Sequence, residues 1–279
     1  MFSMDPLMCE NKQYIVRVKK KDRLIATDLD GTLLKSDKSI PEGFMQTAER
    51  LMDAGVIFVA ASGRQYDNIY QTLYPLSERM YIISENGAIN GYGSQVREEM
   101  RMTEKSVRQV LDFVRASGGR ANAICCCAHE GRYTSDEPEF VREMSRYYLR
   151  RRRVGESEMN ASPACKIALY CYGKSEELYR TMPTFEGLTN VVSGTDWVDV
   201  APDGINKGKA LESILRETGI RPEECVAFGD NFNDREMLEL CGRRYTVSNA
   251  PEGMRRMFPC IGSNDDGAVS AEIRRIFDL

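Results

Sequence analysis

The segment Leu24-Ile25-Ala26-Thr27-Asp28-Leu29-Asp30-Gly31-Thr32-Leu33-Leu34 decides the fold class. It begins with a short, unbroken apolar run, which is typical of a strand buried on both faces of a parallel sheet. Asp28 and Asp30 follow at the carboxyl end of that strand, the edge at which α/β sheets bind ligands. Gly31 then permits a sharp backbone turn. Because aspartates are also common turn residues, this segment alone leaves a functional and a structural interpretation open.

Strands and helices alternate on both sides of this segment. Helical patterns over residues 42–54 and 65–74 separate apolar runs at 24–26, 56–60 and 80–83. Towards the end of the chain, helical patterns over 207–218, from 234, after 251 and over 268–277 alternate with strand patterns at 225–228 and 245–247. This alternation implies right-handed βαβ units and therefore a Rossmann-like, doubly wound parallel sheet of the α/β class.

The stretch between residues 88 and 201 has a different pattern. Asn90-Gly91 and Ser193-Gly194 are hairpin signals. Helical patterns cover 104–116, 138–149 and 175–182, and strand patterns cover 122–128, 166–171, 189–192 and 197–200. An antiparallel α+β stretch that interrupts an α/β pattern predicts an inserted domain. We therefore expect a discontinuous core over 1–87 and 202–279, with residues 1–22 as an N-terminal extension, and a cap over 88–201.

The composition is that of an ordinary globular protein. The 279 residues are 42% hydrophobic and 29% charged, which argues against disorder. The net charge of −4 gives no reason to expect nucleic acid as a partner. No apolar run approaches the roughly 20 residues that a membrane span needs. Near the N-terminus the basic cluster follows the apolar residues, which is the reverse of a secretory signal, so we expect a cytoplasmic protein.

Nine cysteines and a single histidine limit the available chemistry. The odd number and the length of the chain argue against a disulfide framework and favour a reducing compartment. The triplet Cys125-Cys126-Cys127 lacks a CxxC pair, so a buried strand is favoured over metal or redox chemistry. His129 lies between a strand pattern and a glycine turn, which favours a surface position. Acid–base chemistry is therefore expected from carboxylates.

A second set of polar residues follows other apolar runs. Asp230, Asn233 and Asp234 lie after the run at 225–228, and oxygen-rich groups of this kind suit Mg²⁺, although Asp234 also suits a helix N-cap. Ser62 follows the run at 56–60, where it suits either phosphate binding or a helix N-cap. Lys207 begins a helical pattern, the end at which a cation is unfavourable unless an anion lies nearby.

Together these segments resemble the haloacid dehalogenase superfamily, in particular its Cof-type (class IIB) sugar-phosphatase branch with an inserted C2-type cap. The resemblance covers the chain from about residue 23 onward. It rests on five motifs in the family order: Asp-Leu-Asp-Gly-Thr-Leu-Leu at 28–34, Ala-Ser-Gly-Arg at 61–64, Glu-Asn-Gly-Ala at 85–88, Asn-Lys-Gly-Lys-Ala-Leu at 206–211 and Gly-Asp-Asn-Phe-Asn-Asp at 229–234. One departure is Ser248, which precedes Asn249 where the family has glycine.

The resemblance implies a role for each motif. Asp28 resembles the nucleophile and Asp30 the acid/base, while Ser62 and Lys207 resemble the pair that binds the phosphoryl group. The implied Mg²⁺ ligands are Asp28, the main-chain carbonyl of Asp30 and Asp230, with Asn233 and Asp234 in support. The expected substrate pocket comprises Gly31, Thr32, Gly63, Arg64, Asn86, Gly87 and Asn249.

The residues and the resemblance predict a Mg²⁺-dependent phosphatase that hydrolyses a small phosphorylated metabolite through an aspartyl-phosphate. Two alternatives stay open: a phosphosugar mutase with the same chemistry, and a non-catalytic module that binds Mg²⁺ and phosphate. We expect neither a nucleic-acid nor a membrane partner. The run Arg150-Arg151-Arg152-Arg153 is expected at a solvated helix end, with recognition of an anionic substrate group as the alternative. The sequence leaves the substrate and the oligomeric state open.

Overall fold

The apolar run before Asp28 forms an interior strand of a seven-stranded sheet. The computed structural model describes residues 22–279. In it, β1 (Leu24–Asp28) is buried along its whole length and pairs in parallel with a strand on each side. A strand covered on both faces has no solvent-facing positions, which explains its unbroken apolar sequence. The expected extension over 1–22 lies, apart from Asp22, outside the described residues.

The first part of the chain builds most of this sheet. Its elements are α1 (Phe44–Asp53), β2 (Ile57–Ala61), α2 (Tyr66–Thr72), β3 (Tyr81–Ser84), β4 (Ile89–Tyr92) and β5 (Gln95–Glu99). The strands β2 and β3 continue the parallel sheet from β1, whereas β4 and β5 add an antiparallel edge. The expected inserted domain began at residue 88, but β4 and β5 are hydrogen-bonded to the core sheet.

The prediction of a hairpin turn at Asn90-Gly91 is wrong in its position. Both residues lie inside β4, where the register with β5 shifts, and the chain turns at Gly93-Ser94 instead. A side chain at Gly91 would place its Cβ 2.2 Å from the carbonyl oxygen of Gln95. The glycine therefore serves a close approach of two strands rather than a turn.

The middle of the chain forms a second sheet with its own helices. Its elements are α3 (Glu104–Ala116), β6 (Asn122–Cys126), β7 (Gly131–Tyr133), α4 (Pro138–Tyr147), β8 (Arg151–Arg153), α5 (Glu156–Asn160), β9 (Lys166–Tyr170), α6 (Ser175–Thr181), β10 (Leu188–Val192) and β11 (Trp197–Pro202). The six strands lie in the order β10-β11-β9-β6-β7-β8, and all neighbours except β7 and β8 are antiparallel. The predicted turn at Ser193-Gly194 joins β10 to β11 and is confirmed.

The arginine run differs from its prediction. The helix α4 ends at Tyr147, because the next residue, Tyr148, is buried in an extended conformation. The chain then continues as β8 at the sheet edge, with all three arginine side chains exposed. Charged side chains are a common means of protecting an edge strand from further pairing. The run is therefore an edge strand and not the end of a helix.

The last part of the chain completes the first sheet. Its elements are α7 (Lys207–Thr218), β12 (Cys225–Gly229), α8 (Arg235–Leu240), β13 (Arg243–Thr246), α9 (Glu252–Met257) and α10 (Ala268–Ile276). The full order is β13-β12-β1-β2-β3-β4-β5, with β12 parallel to β1 and β13. The strands β1, β2 and β12 thus end at one edge, as the sequence predicted. Within residues 22–279, no helix is long and apolar enough to span a membrane.

Alternate residues of the second sheet face two different apolar cores. Ile167 and Leu169 of β9 pack with α3, α5 and α6 in one core, whereas Ala168 and Tyr170 join the core that includes α4 and the first sheet. Cys125 and Cys126 lie buried in β6, as predicted, whereas Cys127 follows the strand and is only partly buried. All eight cysteines that the structure describes are free thiols. His129 is exposed, in agreement with the prediction of a surface position.

Candidate active site

Lys207 connects the two groups of aspartates at the carboxyl edge of the sheet. Its side chain is fully buried, and its Nζ donates to Asp28 Oδ1 and to Asp234 Oδ1, both at 2.6 Å. Asp28 ends β1, Asp234 follows β12, and Lys207 begins α7. Three segments that are far apart in the chain therefore meet at one ammonium group, whereas the sequence predicted the aspartates around a metal ion with Lys207 as a phosphoryl-binding residue.

The carboxylates of Asp28, Asp230 and Asp234 form an acidic cluster. They place one oxygen each within 4.8 Å of the others. Asp234 Oδ2 accepts from the main-chain N–H groups of Asp230 and Asn231 at 3.0 and 3.1 Å, which fixes the loop after β12. Asp28 Oδ2 is buried and has no hydrogen-bond partner among the described residues.

Burial and mutual repulsion govern the protonation of this cluster. The pKa of Asp28 is raised well above its ordinary value, because burial and the carboxylates of Asp234 and Asp230 outweigh the attraction of Lys207. Burial, followed by repulsion from Asp234, raises the pKa of Asp230 to about 6. Burial lowers the pKa of Lys207, but the two aspartates it contacts outweigh this effect and leave that pKa raised. Three carboxylates therefore face one ammonium, which is an excess of negative charge.

The turn after Asp28 supports the cluster from below. Thr32 is fully buried, and its hydroxyl donates to Asp230 Oδ1 at 2.9 Å. Gly31 has a φ of 81°, and a Cβ there would lie 2.8 Å from Asp230 Oδ2. Both residues were predicted in the substrate pocket, and the structure places them in contact with Asp230. A larger residue than glycine would collide with the carboxylate.

Asp30 is bound by two cations. Arg64 makes a bidentate contact with Asp30, with Nε 2.5 Å from Oδ2 and Nη2 2.6 Å from Oδ1. Lys38 Nζ lies 2.8 Å from Oδ1. Burial raises the pKa of Asp30, but the hydrogen bonds and charges of Arg64 and Lys38 outweigh it, so that pKa lies below its ordinary value. Arg64 therefore holds a carboxylate in this structure.

Ser62 lies beside this ion pair. It is buried directly after β2, and its hydroxyl accepts from the N–H of Arg64 at 3.2 Å. The same residue lines a cavity together with Asp28, Gly63 and Asp230. The hydroxyl, the acidic cluster and the Asp30–Arg64 pair thus share one space.

The motif at 85–88 approaches the start of α7. Glu85 and Asn86 both have a positive φ, of 49° and 58°. Gly87, with a φ of 104°, brings the backbone so close that a Cβ would lie 2.4 Å from the carbonyl oxygen of Asn206. Because Asn206 caps α7 by accepting from the N–H of Lys209 at 2.8 Å, this approach helps to position Lys207.

Three asparagines predicted at the site have different surroundings. Asn86 and Asn233 both line the cavity, and Asn233 Nδ2 donates to Asn86 Oδ1 at 3.0 Å. Asn249 instead braces two loops, since its Nδ2 donates to the carbonyl oxygen of Gly31 at 2.7 Å and its Oδ1 accepts from the N–H of Asn264 at 3.1 Å. The structure thus gives Asn249 a supporting position beside the site.

The second sheet contributes residues that sequence reasoning missed. Lys166 is buried at the start of β9, with Nζ 2.6 Å from Glu85 Oε2 and 3.2 Å from Asp199 Oδ2. The cavity, of about 370 Å³, is lined on this side by Tyr147, Tyr148, Lys166, Ala168, Val191, Val192, Ser193, Trp197 and Asp199. A lysine that begins a strand carries no pattern that marks it as a site residue. Only the motif at 85–88 pointed to one of its partners.

The parallel sheet, its acidic edge and the second sheet over the cavity define a Rossmann-like protein with a cap. Residues 25–273 match the family described as haloacid dehalogenase-like hydrolases, so the chain belongs to that family and is an enzyme of the hydrolase class. This confirms the family that the motifs predicted.

The chain is similar to several named proteins. It is 30% identical over 258 residues to an HMP-PP phosphatase of Escherichia coli O8 (strain IAI1), covering 89% of this chain and 93% of that protein. It is 27% identical over 263 residues to an HMP-PP phosphatase of Cronobacter sakazakii, with the same two coverages.

Solved structures share the fold. A haloacid dehalogenase-like hydrolase from Bacteroides thetaiotaomicron matches with a TM-score of 0.80 at 23% identity, over 92% of this chain and 100% of that one. A sugar phosphatase of subclass IIB matches with a TM-score of 0.79 at 21% identity, over 92% of this chain and 100% of that one. The predicted α/β core with a cap is therefore confirmed.

Proposed function

We propose that the chain is a Mg²⁺-dependent phosphatase that transfers the phosphoryl group of a small phosphorylated metabolite to Asp28 and then to water. The observation that carries this proposal is the meeting of Asp28, Asp230, Asp234 and Lys207 at one edge of the sheet, beside Ser62 and an open cavity. The names of the relatives, HMP-PP phosphatases and a sugar phosphatase, support a small phosphorylated substrate.

The acidic cluster suits a magnesium ion. Mg²⁺ prefers carboxylate oxygens and water, and the unpaired buried Oδ2 of Asp28 is a ligand atom without another partner among the described residues. Asp28 and Asp230 would hold the ion with the main-chain carbonyl of Asp30, while Asp234 and Asn233 support the loop. When bound, Mg²⁺ would offset the repulsion between the carboxylate and the phosphate and orient both.

The side chains divide the reaction between them. Asp28 presents a carboxylate for attack on phosphorus, and a bond from its oxygen to phosphorus would form as the bond from phosphorus to the leaving oxygen breaks. Water would then cleave the aspartyl-phosphate, so that one difficult displacement is split into two. Lys207 and Ser62 would bind phosphoryl oxygens, whose charge must be stabilised in the transition state.

Asp30 would exchange the protons. The two cations at 2.5 to 2.8 Å keep it ionised, which is the form that accepts a proton from the attacking water in the second step. Protonation of the leaving oxygen in the first step requires Asp30 to carry a proton and therefore a weaker hold by Arg64. Arg64 thus has a positioning role in addition to any contact with substrate.

Asp28→Asn tests the proposal. We expect it to abolish Mg²⁺-dependent phosphate release from p-nitrophenyl phosphate, a fall of at least about 10³-fold, because the amide is a poor nucleophile and removes the attacking charge. Asp53→Asn, at an exposed carboxylate paired with Arg79, is the matched control and should retain full activity. Turnover by Asp28→Asn, or binding of Mg²⁺ and phosphate without turnover by the unaltered chain, would contradict the assignment.

A further inference from the structure

A single turn of the core contacts the segment of the cap that lines the cavity. This turn, residues 65–68, lies at the start of α2, and we call it the docking turn. Gln65 is fully buried, and its Nε2 donates to the carbonyl oxygen of Arg150 at 3.0 Å while its Oε1 accepts from the N–H of Arg150 at 3.2 Å. Both main-chain polar groups of Arg150 are thus paired with one side chain, as in a hydrogen-bonded pair of two antiparallel strands.

Asp67, also in the docking turn, lies against two basic side chains of the cap. His129 Nδ1 is 3.2 Å from its Oδ1, and Arg150 Nε is 3.1 Å from its Oδ2. The ring of Tyr66 packs edge-on against that of His129, with centroids 6.2 Å apart. Because the side chains of His129 and Arg150 are 47% and 69% exposed, these pairs contribute less than the buried amide of Gln65. The single histidine and the first residue of the arginine run, for which the phosphatase reaction has no use, therefore face the same carboxylate.

Asn68 connects the cap with Asp30. Its nearly buried side chain donates from Nδ2 to the carbonyl oxygen of Arg146 at 3.4 Å, and its Oδ1 accepts from Arg64 Nη1 at 3.0 Å. The hydroxyl of Thr72 is a second acceptor for Nη1, at 3.3 Å. Arg64 in turn holds Asp30 through Nε and Nη2. Since an amide is planar, a partner that fixes its nitrogen also fixes the direction of its oxygen. The carbonyl of Arg146 thus helps to set how Arg64 presents its guanidinium to Asp30.

The residues between these contacts form one wall of the cavity. Arg146 and Arg150 bracket the end of α4, and Tyr147 and Tyr148 between them line the cavity. The ring of Tyr147 lies 6.1 Å from that of Trp197, at 81°. Release of this segment from the docking turn would therefore move the wall and loosen the support of Arg64 at the same time.

We propose that Gln65 and Asn68 are positioning residues for the reaction. Gln65 seats the end of α4 against the core, and Asn68 couples that seating to the hold of Arg64 on Asp30. Neither side chain touches the reacting atoms. The inference rests on the proposed function, since the hold on Asp30 matters only where Asp30 exchanges protons with the substrate and water.

Gln65→Ala tests the seating. It removes both hydrogen bonds and leaves the N–H of Arg150 without this partner, so a smaller fraction of the molecules has the cap seated. A substrate that binds only the seated form then has its KM raised by the inverse of that fraction, whereas saturating substrate restores kcat. We expect KM for p-nitrophenyl phosphate to rise at least about threefold, with kcat changed by less than about twofold. Gln71→Ala, at an exposed residue of the same helix, is the matched control and should change neither value.

Asn68→Ala should give the opposite division. Arg64 loses one of its supports in every bound complex, so kcat should fall about three- to tenfold while KM stays within about twofold. In an Arg64→Ala background the same substitution should have no further effect on kcat, because Asn68 acts through Arg64. Equal losses in the two backgrounds would overturn the coupling.

Fluorescence reports the seating without turnover. Trp197 is the single tryptophan of the chain and lines the cavity beside Tyr147. Its quenching by acrylamide should increase in Gln65→Ala and stay unchanged in Gln71→Ala. Asp67→Asn, which weakens both ion pairs, should change quenching and KM in the same direction by a smaller factor, and it keeps the test decisive where Gln65→Ala fails to fold.

Two outcomes separate this inference from the proposed function. Unchanged quenching and unchanged KM in both Gln65→Ala and Asp67→Asn, with turnover intact, would overturn the inference and leave the phosphatase assignment standing. Increased quenching in Gln65→Ala, with no phosphate release by the unaltered chain, would reject the proposed function and retain the seating role of Gln65.

Discussion

Lys207 lies at the start of α7, where a positive charge opposes the helix dipole. Full burial of an ammonium is also unfavourable unless anions and hydrogen bonds compensate. Asp28 and Asp234 supply both, at 2.6 Å each. The residue type, its position in the helix and its surroundings are therefore consistent only when the three side chains are taken together. The sequence placed the aspartates after strands and Lys207 at the start of a helix, and the family resemblance predicted that they would share one site.

Gly87→Ala should disturb this arrangement without touching a charged group. The new Cβ would lie 2.4 Å from the carbonyl oxygen of Asn206, and alanine is strained at a φ of 104°. We expect a loss of about 2–4 kcal/mol in the free energy of unfolding, measured by urea denaturation. Phosphate release should fall as well, because Lys207 follows Asn206.

Gly118→Ala is the matched control for this prediction. Gly118 also has a positive φ, of 66°, but no atom lies within 4 Å of its Cβ position. It therefore measures the backbone cost alone, about 1 kcal/mol, with activity unchanged. Equal losses in the two variants would show that the contact with Asn206 contributes nothing.

At the scale of elements, the pattern of apolar residues predicted the strands of the core sheet, because these strands are determined by local sequence. The buried parallel strands β1, β2 and β12 show as apolar runs, and the residues that follow them share one edge because parallel strands end together. Asp28, Ser62 and Asp230 were located in this way. The fold of the core and the side of the cavity formed by the first sheet therefore follow from the sequence.

The side of the cavity that the second sheet lines could not be predicted in the same way. Glu85, Lys166 and Asp199 are far apart in the sequence. Glu85 belongs to the motif at 85–88, but Lys166 and Asp199 lie in ordinary strands. Their contact depends on how the second sheet faces the first, which no local pattern encodes. The edge strand β8 was missed for a related reason, since four consecutive arginines carry no period-2 alternation.

The helix α4 ends with Tyr147, which lines the cavity. The start of this helix is capped by one carboxylate, that of Glu137. Glu137 accepts from the N–H groups of Glu139 and Phe140 at 3.1 and 2.7 Å, and the bond from Phe140 is the main reason that its pKa is lowered. A carboxyl group whose pKa is lower in the folded state stabilises the fold at pH values above its unfolded-state pKa. This stabilisation is lost as the pH falls through the folded-state pKa.

Glu137→Ala should accordingly lower the melting temperature at pH 7 by about 2–4 °C, and the difference should shrink near pH 3. Differential scanning calorimetry at the two pH values provides the measurement. Glu186→Ala, at a side chain that is 91% exposed, should have no such effect at either pH. A difference that is the same at both pH values would indicate that the carboxylate charge is not involved.

At the scale of the whole molecule, the two sheets are joined by a buried ionic cluster. Lys166 of the second sheet lies between Glu85 of the first and Asp199 of its own sheet, and its Nζ also donates to the carbonyl oxygen of Gly63 at 3.4 Å. Both Lys166 and Glu85 are almost completely buried. Burial raises the pKa of Glu85, an effect that the charge of Lys166 opposes. The cluster therefore depends on the correct placement of the cap over the core.

Lys166→Met removes the cation and leaves two buried carboxylates without it. Breaking a buried ion pair from one side costs about 3–5 kcal/mol, whereas an exposed pair contributes about 0–1 kcal/mol. We expect urea denaturation to show the larger loss for Lys166→Met and the smaller one for Lys105→Met, whose ion pair with Glu186 is exposed. Adding Glu85→Gln to Lys166→Met should recover part of the stability, because one stranded charge is removed. If Lys166→Met were as stable as Lys105→Met, the ionic cluster would not couple the two sheets. The position of the second sheet over the cavity would then have to depend on the apolar contacts of α4 and on the docking turn alone.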